Sequence, residues 1–221
     1  MPVADPQTYL SDLVTVLKTH WPANRAVHLV CHGHSVPAGY FATPQVDSLN
    51  AYPHLLHRAL KERFPYAVVN GIVTAIGGEN AERGAARFAA DVLCHRPDVV
   101  TIDYGLNDRG LGLAKAADCW RQMLALAAER QVRVLLCTPT PDRTQRPGAP
   151  PAEREPLRQH ADQIRRLAAE HGVGLVDSLA ACEAYVAAGG ELDDLLSWPN
   201  HPNRRGHDLV ARALLRWFPL A

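Results

Sequence analysis

The sequence predicts an α/β fold in which a parallel β-sheet is covered by helices on both faces. Short apolar runs alternate along the chain with longer amphipathic stretches of helical periodicity. The apolar runs are hydrophobic throughout instead of alternating with polar residues, which is typical of strands buried on both faces. Strands that alternate with helices imply right-handed strand–helix–strand units, so this order predicts a parallel sheet with helices on each side.

Each apolar run ends at a turn signal or a helical pattern, as Gly33 does for the first run. The predicted strands are residues 26–31, 66–70, 98–103, 132–137 and 173–176. The predicted helices are residues 7–19, 46–63, 79–93, 113–130, 152–171, 178–188 and 204–217. Pro53 interrupts the second helical pattern, which predicts a kink or two helical pieces there.

One connection is unusually rich in proline. Residues 139–152 contain five prolines and follow the fourth predicted strand. A stiff connection of this kind forms either a surface loop or one wall of a substrate cleft. The sequence leaves both alternatives open.

The composition is that of an ordinary globular protein, and a single domain over residues 1–221 is expected. Lys plus Arg and Asp plus Glu number 23 each, so no net charge favours nucleic acid or an anionic membrane as a partner. The five cysteines form no C-x-x-C pair, which indicates a reducing compartment and argues against disulfides or a zinc site. No signal peptide or membrane-length apolar run is visible, so a cytoplasmic protein is expected.

Four polar or small residues lie just beyond a strand or beside a helix start, which are the positions where a parallel sheet exposes its functional groups. Ser35 follows the first strand and Gly33, and such a serine is either a helix N-cap or a nucleophile. Gly78 lies in a Gly-Gly turn. Asn107 follows the third strand, where its amide either caps a turn or donates to an oxyanion. His201 lies between Pro199 and Pro202, which restrain the backbone on both sides.

These segments resemble the sequence blocks of the SGNH (GDSL-type) hydrolases. Residues 28–40 (HLVCHGHSVPAGY) resemble the first block, which usually reads Gly-Asp-Ser, and residues 75–80 (AIGGEN) are similar to the second. Residues 105–108 (GLND) match the Gly-x-Asn-Asp block, and residues 201–207 (HPNRRGH) resemble the last block. The resemblance runs from residue 33 to residue 207.

The resemblance implies a flavodoxin-like three-layer α/β/α fold with strand order 2-1-3-4-5. It implies Ser35 as the nucleophile and His201 as the general base of an ester hydrolase. The backbone N–H groups of Ser35 and Gly78 and the side-chain amide of Asn107 would form the oxyanion hole. Neither a metal nor an organic cofactor is expected.

Two positions depart from the family pattern. His34 stands where the family has Asp before the nucleophile, and Trp198 stands where it has the Asp that orients the base. Another group must then hold the imidazole of His201. We expect a backbone carbonyl near Trp198, with the side chains of Ser197, Asn200, Asp193 and Asp194 as alternatives.

Several histidines raise the question of a metal site. His32 and His34 lie two apart, and His54 and His57 lie three apart on a predicted helix. No carboxylate or thiolate completes a tetrahedral ligand set in the local sequence, so surface or supporting histidines are expected instead.

The expected substrate is an ester with a short acyl group, such as acetyl, on a carbohydrate or another small polar carrier. Aromatic residues on the candidate segments either line a cleft for sugar rings or pack its floor; they are Tyr40, Phe41, Tyr104 and Trp198. A catalytically weak module that binds an acylated ligand and an acyltransferase with the same acyl-enzyme are the alternatives.

Overall fold

Within residues 2–220, which are those that the computed structural model describes, five parallel strands form the main sheet in the order β2-β1-β3-β4-β5. They are β1 (Ala26–Gly33), β2 (Val68–Val73), β3 (Val99–Asp103), β4 (Arg133–Cys137) and β5 (Gly174–Val176). Helices flank both faces. The predicted fold class and strand order are therefore confirmed.

The helices of the described residues alternate with these strands. They are α1 (Ser11–Lys18), α2 (Ser35–Ala38), α3 (Tyr52–Arg63), α4 (Ala81–Arg87), α5 (Leu113–Glu129), α6 (Pro151–His171), α7 (Ser178–Ala187) and α8 (Arg204–Leu215). The predicted helix over 46–63 forms two pieces, a 3₁₀ turn at Ser48–Asn50 and then α3. Pro53 lies in the first turn of α3, where a missing N–H is tolerated. After α4 the chain forms a π-helical turn, Phe88–Val92, inside the predicted helix over 79–93.

Two hydrophobic clusters lie on opposite faces of the sheet. Leu29 of β1 packs with α1, α3, α7 and α8, whereas the next residue, Val30, packs with α4 and α5. Successive side chains of a strand point to opposite faces, so a continuous apolar run fills both layers at once. This explains why the strands read as unbroken hydrophobic stretches.

The carboxyl ends of β1 and β3 lie side by side with no room for a side chain at Gly33. Gly33 pairs with Asp103 in the strand register, and a Cβ at Gly33 would lie 2.4 Å from the Asp103 carbonyl oxygen. A side chain at position 33 would therefore force the strands apart. The glycine allows the segment after β1 to lie directly beside the segment after β3.

A short antiparallel hairpin precedes α8 and was not predicted from the sequence. It consists of β6 (Leu196–Trp198) and β7 (His201–Pro202), in which Trp198 pairs with His201. In residues 2–220, no helix combines the length and the apolar character that crossing a bilayer requires.

Candidate active site

Ser35 is the first residue of α2, immediately beyond the end of β1. The N-cap of this helix is His34, whose ring accepts a hydrogen bond from the backbone N–H of Val36. Ser35 is therefore not the cap, and its hydroxyl remains available for other contacts. The Ser35 side chain lies at the carboxyl edge of the sheet, with the residue 6% exposed.

His201 meets Ser35 across a sequence separation of 166 residues. The Nε2 atom of His201 lies 3.0 Å from Ser35 Oγ, and its Nδ1 atom lies 2.8 Å from the carbonyl oxygen of Phe41. A carbonyl oxygen can only accept, so Nδ1 carries the proton and Nε2 is left as the acceptor for the Ser35 hydroxyl. This is the tautomer that a general base requires.

The group that orients His201 is a backbone carbonyl, as expected, but its position was predicted wrongly. It belongs to Phe41, on the segment after the nucleophile, and not to the neighbourhood of Trp198. Of the alternatives, Asp194 accepts hydrogen bonds from Tyr185 and from the backbone of Glu191. The other candidate carboxylate, Asp193, pairs with Arg146, and Ser197 donates to backbone carbonyls.

The environment of His201 keeps its imidazole neutral. Burial lowers the pKa of His201 below the ordinary histidine value. The hydrogen bond to the Phe41 carbonyl opposes this shift, and the neighbouring His34 ring adds to it. A neutral ring at physiological pH is the form that can take a proton from Ser35.

Gly78 and Asn107 lie on two loops that are joined by hydrogen bonds. Gly78 has a φ of +80°, a left-handed conformation that favours glycine. The backbone N–H groups of Ser35 and Gly78 donate to no other group among residues 2–220. The Asn107 amide donates one N–H to the Glu79 carbonyl at 2.8 Å, and its second N–H has no acceptor within the part of the chain that the structure describes.

Asp108 connects these loops and was not predicted as a site residue from the sequence. Its fully buried carboxylate accepts hydrogen bonds from the Ala81 N–H at 2.8 Å and from Trp120 Nε1 at 2.7 Å. Burial raises the pKa of Asp108 to about 6, although both hydrogen bonds act against the rise. Its place beside Asn107 in the Gly-Leu-Asn-Asp segment was the signal that could have identified it.

The four aromatic residues divide into two groups. Tyr104 is fully buried and Phe41 nearly so, so these two pack the interior instead of lining a cleft. Tyr40 lies with its ring centroid 6.0 Å from that of His201, and Trp198 is 47% exposed. A Cβ at Gly77 would lie 2.8 Å from the Tyr40 ring, so Tyr40 also contacts the loop that carries Gly78.

The proline-rich connection lies against the segment that carries His201. The Arg143 N–H donates to the Pro199 carbonyl at 2.8 Å. Asp142 forms an ion pair at 2.7 Å with Arg109, two positions beyond Asn107. This connection therefore links the two segments that hold the candidate base and the candidate amide donor.

The histidines that suggested a metal have other contacts. His32 is buried between Thr74 and Tyr104, and burial lowers the pKa of its ring to about 4. Among residues 2–220, no three His, Cys, Asp or Glu side chains lie close enough together to hold a metal ion.

Ser35 and His201 meet at the carboxyl edge of a five-stranded parallel sheet, as the resemblance to ester hydrolases implies. The model of the GDSL-like Lipase/Acylhydrolase family matches residues 31–209, which is most of the chain. This chain belongs to that family, and the predicted family and enzyme class, a carboxylic ester hydrolase, are confirmed. No curated protein matches the chain significantly.

Solved structures share this fold. One is Axe2, an acetylxylan esterase from Geobacillus stearothermophilus, at 22% identity over 88% of this chain and 95% of that chain, with a TM-score of 0.74. Another is a structure described as a GDSL-like lipase from Parabacteroides merdae, at 16% identity over 87% and 95%, with a TM-score of 0.72. In Axe2, alanine variants of a serine, a histidine and an aspartate are described as catalytic mutants.

Proposed function

We propose that this chain is a serine esterase that removes short acyl groups, such as acetyl, from a carbohydrate or another small polar carrier. The observation that carries the proposal is the 3.0 Å contact between Ser35 Oγ and His201 Nε2, with the opposite ring nitrogen held by the Phe41 carbonyl. A hydroxyl, a neutral imidazole and a fixed tautomer are the parts that nucleophilic acyl transfer requires.

In the first half of the reaction, Ser35 Oγ attacks the ester carbon while His201 Nε2 takes the hydroxyl proton. The carbonyl oxygen becomes an oxyanion, for which the N–H groups of Ser35 and Gly78 and the free N–H of Asn107 are the candidate donors. The carbon–oxygen bond to the alcohol then breaks, and His201 returns the proton to the departing alcohol. The acyl group remains on Ser35.

In the second half, water attacks the acyl-enzyme and gives its proton to His201. The bond between the acyl carbon and Ser35 Oγ breaks, the acid leaves, and the proton returns to Ser35. No metal or organic cofactor takes part in these steps. Because the Phe41 carbonyl is neutral, it fixes the ring but stabilises the imidazolium less than a carboxylate does.

The accessible aromatic side chains support a carbohydrate carrier. Trp198 pairs with His201 in the β6–β7 hairpin and is half exposed, and the Tyr40 ring centroid lies 6.0 Å from that of His201. Flat aromatic faces suit the apolar faces of sugar rings and require no charge. The similarity of fold to an acetylxylan esterase points in the same direction.

The test compares turnover of p-nitrophenyl acetate and p-nitrophenyl butyrate by the wild type, Ser35→Ala and the matched control Ser11→Ala. Ser11 lies exposed on α1, next to Asp12, which pairs with Arg133 at the start of β4 and therefore at the opposite edge of the sheet. We expect acetate to be preferred, activity to disappear in Ser35→Ala, and the control to retain it. Equal turnover by Ser35→Ala and the wild type would refute the esterase function.

The carrier is tested separately with Trp198→Ala. We expect this variant to raise KM for an acetylated xylo-oligosaccharide and to leave KM for p-nitrophenyl acetate unchanged. An unchanged KM for both substrates would reject Trp198 as a sugar-binding surface.

We also propose a reducing, cytoplasmic environment and neither nucleic acid nor membrane as a partner. All five cysteines, which lie within the described residues, are free thiols. Three of them, Cys31, Cys137 and Cys182, are buried, and the first two belong to a hydrophobic cluster, where they act as small core residues.

A further inference from the structure

A second imidazole faces the candidate nucleophile. Ser35 Oγ lies 3.0 Å from His201 Nε2 and 3.5 Å from Nδ1 of His34. His34 is fully buried, and it stands at the position where the family usually has an aspartate. The role of this ring follows from what its two nitrogens contact.

The Nδ1 atom of His34 is an acceptor. The backbone N–H of Val36 donates to it at 3.1 Å, so Nδ1 carries no proton. The proton of the neutral ring is then on Nε2. Since the Val36 N–H already donates to His34 Nδ1, the Ser35 hydroxyl donates its proton to the nearer acceptor, His201 Nε2.

The Nε2 atom of His34 faces a buried carboxylate. It lies 3.5 Å from Oδ1 of Asp103, and the two side chains are 0% and 3% exposed. Both atoms are buried, and neither has a hydrogen-bond partner among residues 2–220, so this contact is the polar contact that each of them makes. A buried carboxylate oxygen and a buried N–H stabilise each other because neither can reach water.

Asp103 is fixed in place by the ends of the strands. Its Oδ2 atom accepts a hydrogen bond from the Tyr52 hydroxyl at 3.3 Å, and its carbonyl oxygen accepts one from the His34 N–H at 3.2 Å. The glycine at position 33 allows this close approach of β1 and β3. The carboxylate therefore has a defined position beneath the first turn of α2.

We propose that His34 and Asp103 form a positioning pair for Ser35. The carboxylate fixes the Nε2–H tautomer of the ring, and the ring holds the first turn of α2 through the Val36 N–H. The pair thereby directs the Ser35 hydroxyl toward His201. This proposal rests on the proposed esterase function and adds to it two residues that need not touch the substrate.

The test is a double-mutant cycle with His34→Asp and Asp103→Asn. His34→Asp places two carboxylates face to face in a buried site, and Asp103→Asn removes the charge that fixes the ring. We expect each single variant to lower kcat by about tenfold to a hundredfold, because a misplaced catalytic group slows the reaction by that order. The rate constant of fluorophosphonate labelling at Ser35 should fall by the same factor, and KM should not change.

The double variant, His34→Asp with Asp103→Asn, removes the repulsion between the two carboxylates. We expect it to be at least about tenfold more active than His34→Asp alone, because residues in contact do not behave additively. If kcat of the double variant falls by the product of the two factors measured for the single variants, the proposal is overturned. The controls are His54→Asp, on the exposed side of α3, and Asp118→Asn, whose side chain is 81% exposed.

A measurement on the unmodified protein completes the test and does not depend on activity. We expect the ¹⁵N chemical shifts of the His34 ring to show a protonated Nε2 and an unprotonated Nδ1. A protonated Nδ1 would overturn the pairing even if the variants failed to fold. Absence of both turnover and Ser35 labelling in the wild type, together with the expected tautomer, would refute the esterase function and support the pairing.

Discussion

The Nδ1 atom of His201 lies 2.8 Å from the carbonyl oxygen of Phe41, so the candidate base is oriented by the main chain and not by a carboxylate. The Phe41 carbonyl is itself held in place. The backbone N–H of Phe41 donates to the Gln45 carbonyl at 3.1 Å, and the Phe41 ring stacks on the His207 ring with the centroids 5.1 Å apart. The segment after the nucleophile therefore positions the base as well.

Restoring the family's aspartate should not improve the enzyme. In Trp198→Asp, the Nδ1 proton of His201 is already donated to Phe41, so the new carboxylate has no free ring nitrogen to bind. We expect kcat/KM for p-nitrophenyl acetate to stay at or below the wild-type value. Trp198→Asn is the matched control, since it removes the ring without adding a charge. A rise of about tenfold in Trp198→Asp over both the wild type and this control, or about 1.4 kcal/mol of transition-state stabilisation, would show that the carboxylate displaces the carbonyl.

Activity should fall on the acid side as His201 takes up a proton. Burial lowers the pKa of His201, so the neutral base persists below the ordinary histidine value of about 6.5. As the pH falls through this lowered pKa, the imidazolium forms and kcat/KM declines. The pH–rate profile with p-nitrophenyl acetate measures the midpoint, which we expect below that of a free histidine.

Asp108 also titrates in this range, since burial raises its pKa to about 6. The profile is therefore repeated with Asp108→Asn, which leaves His201 to account for the remaining acid limb. An acid limb centred well above about 6.5, or none at all, would contradict the role of His201 as a buried neutral base.

Gly78→Ala should reduce activity more than stability. A Cβ at Gly78 has no atom within 4 Å, so the substitution creates no clash, but a φ of +80° costs an alanine about 1–2 kcal/mol. The strain turns the N–H away from the oxyanion, and we expect kcat to fall by about a hundredfold, as for loss of one donor. Gly189→Ala is the control, because Gly189 also has a positive φ and open space for a Cβ. Similar kcat values for both variants would argue against Gly78 as a donor.

Asp108→Asn should lower kcat with little change in KM. The amide can accept only through its oxygen, so either the Ala81 N–H or Trp120 Nε1 loses its acceptor. We expect the loops that carry Gly78 and Asn107 to shift and kcat to fall by about tenfold or more. The exposed Asp118→Asn serves as the control. Unchanged kcat in a folded Asp108→Asn would show that the carboxylate does not position these loops.

The sequence was informative where local pattern decides structure. Unbroken apolar strands and amphipathic helices predicted the layers, and Pro53 predicted the division of the helical pattern over 46–63. The segments around Ser35, Gly78, Asn107 and His201 were predictable because each follows a strand or precedes a helix. Parallel strands bring such segments to one edge of the sheet.

The sequence was uninformative where a contact depends on the main chain of a distant residue. The partner of His201 Nδ1 is a carbonyl 160 residues away, and every residue has a carbonyl, so no side-chain pattern marks Phe41. The candidates near Trp198 were chosen for their closeness in sequence, which is a poor guide to tertiary contact. Tyr104 likewise follows a strand but points into the core.

Labelling with a fluorophosphonate, followed by peptide mass spectrometry, tests the central relationship between Ser35 and His201 most directly. We expect one adduct, on Ser35, that is absent in Ser35→Ala and forms much more slowly in His201→Asn, with the wild-type rate retained in Ser11→Ala. An adduct on any other residue, or equally fast labelling of Ser35 without His201, would contradict it.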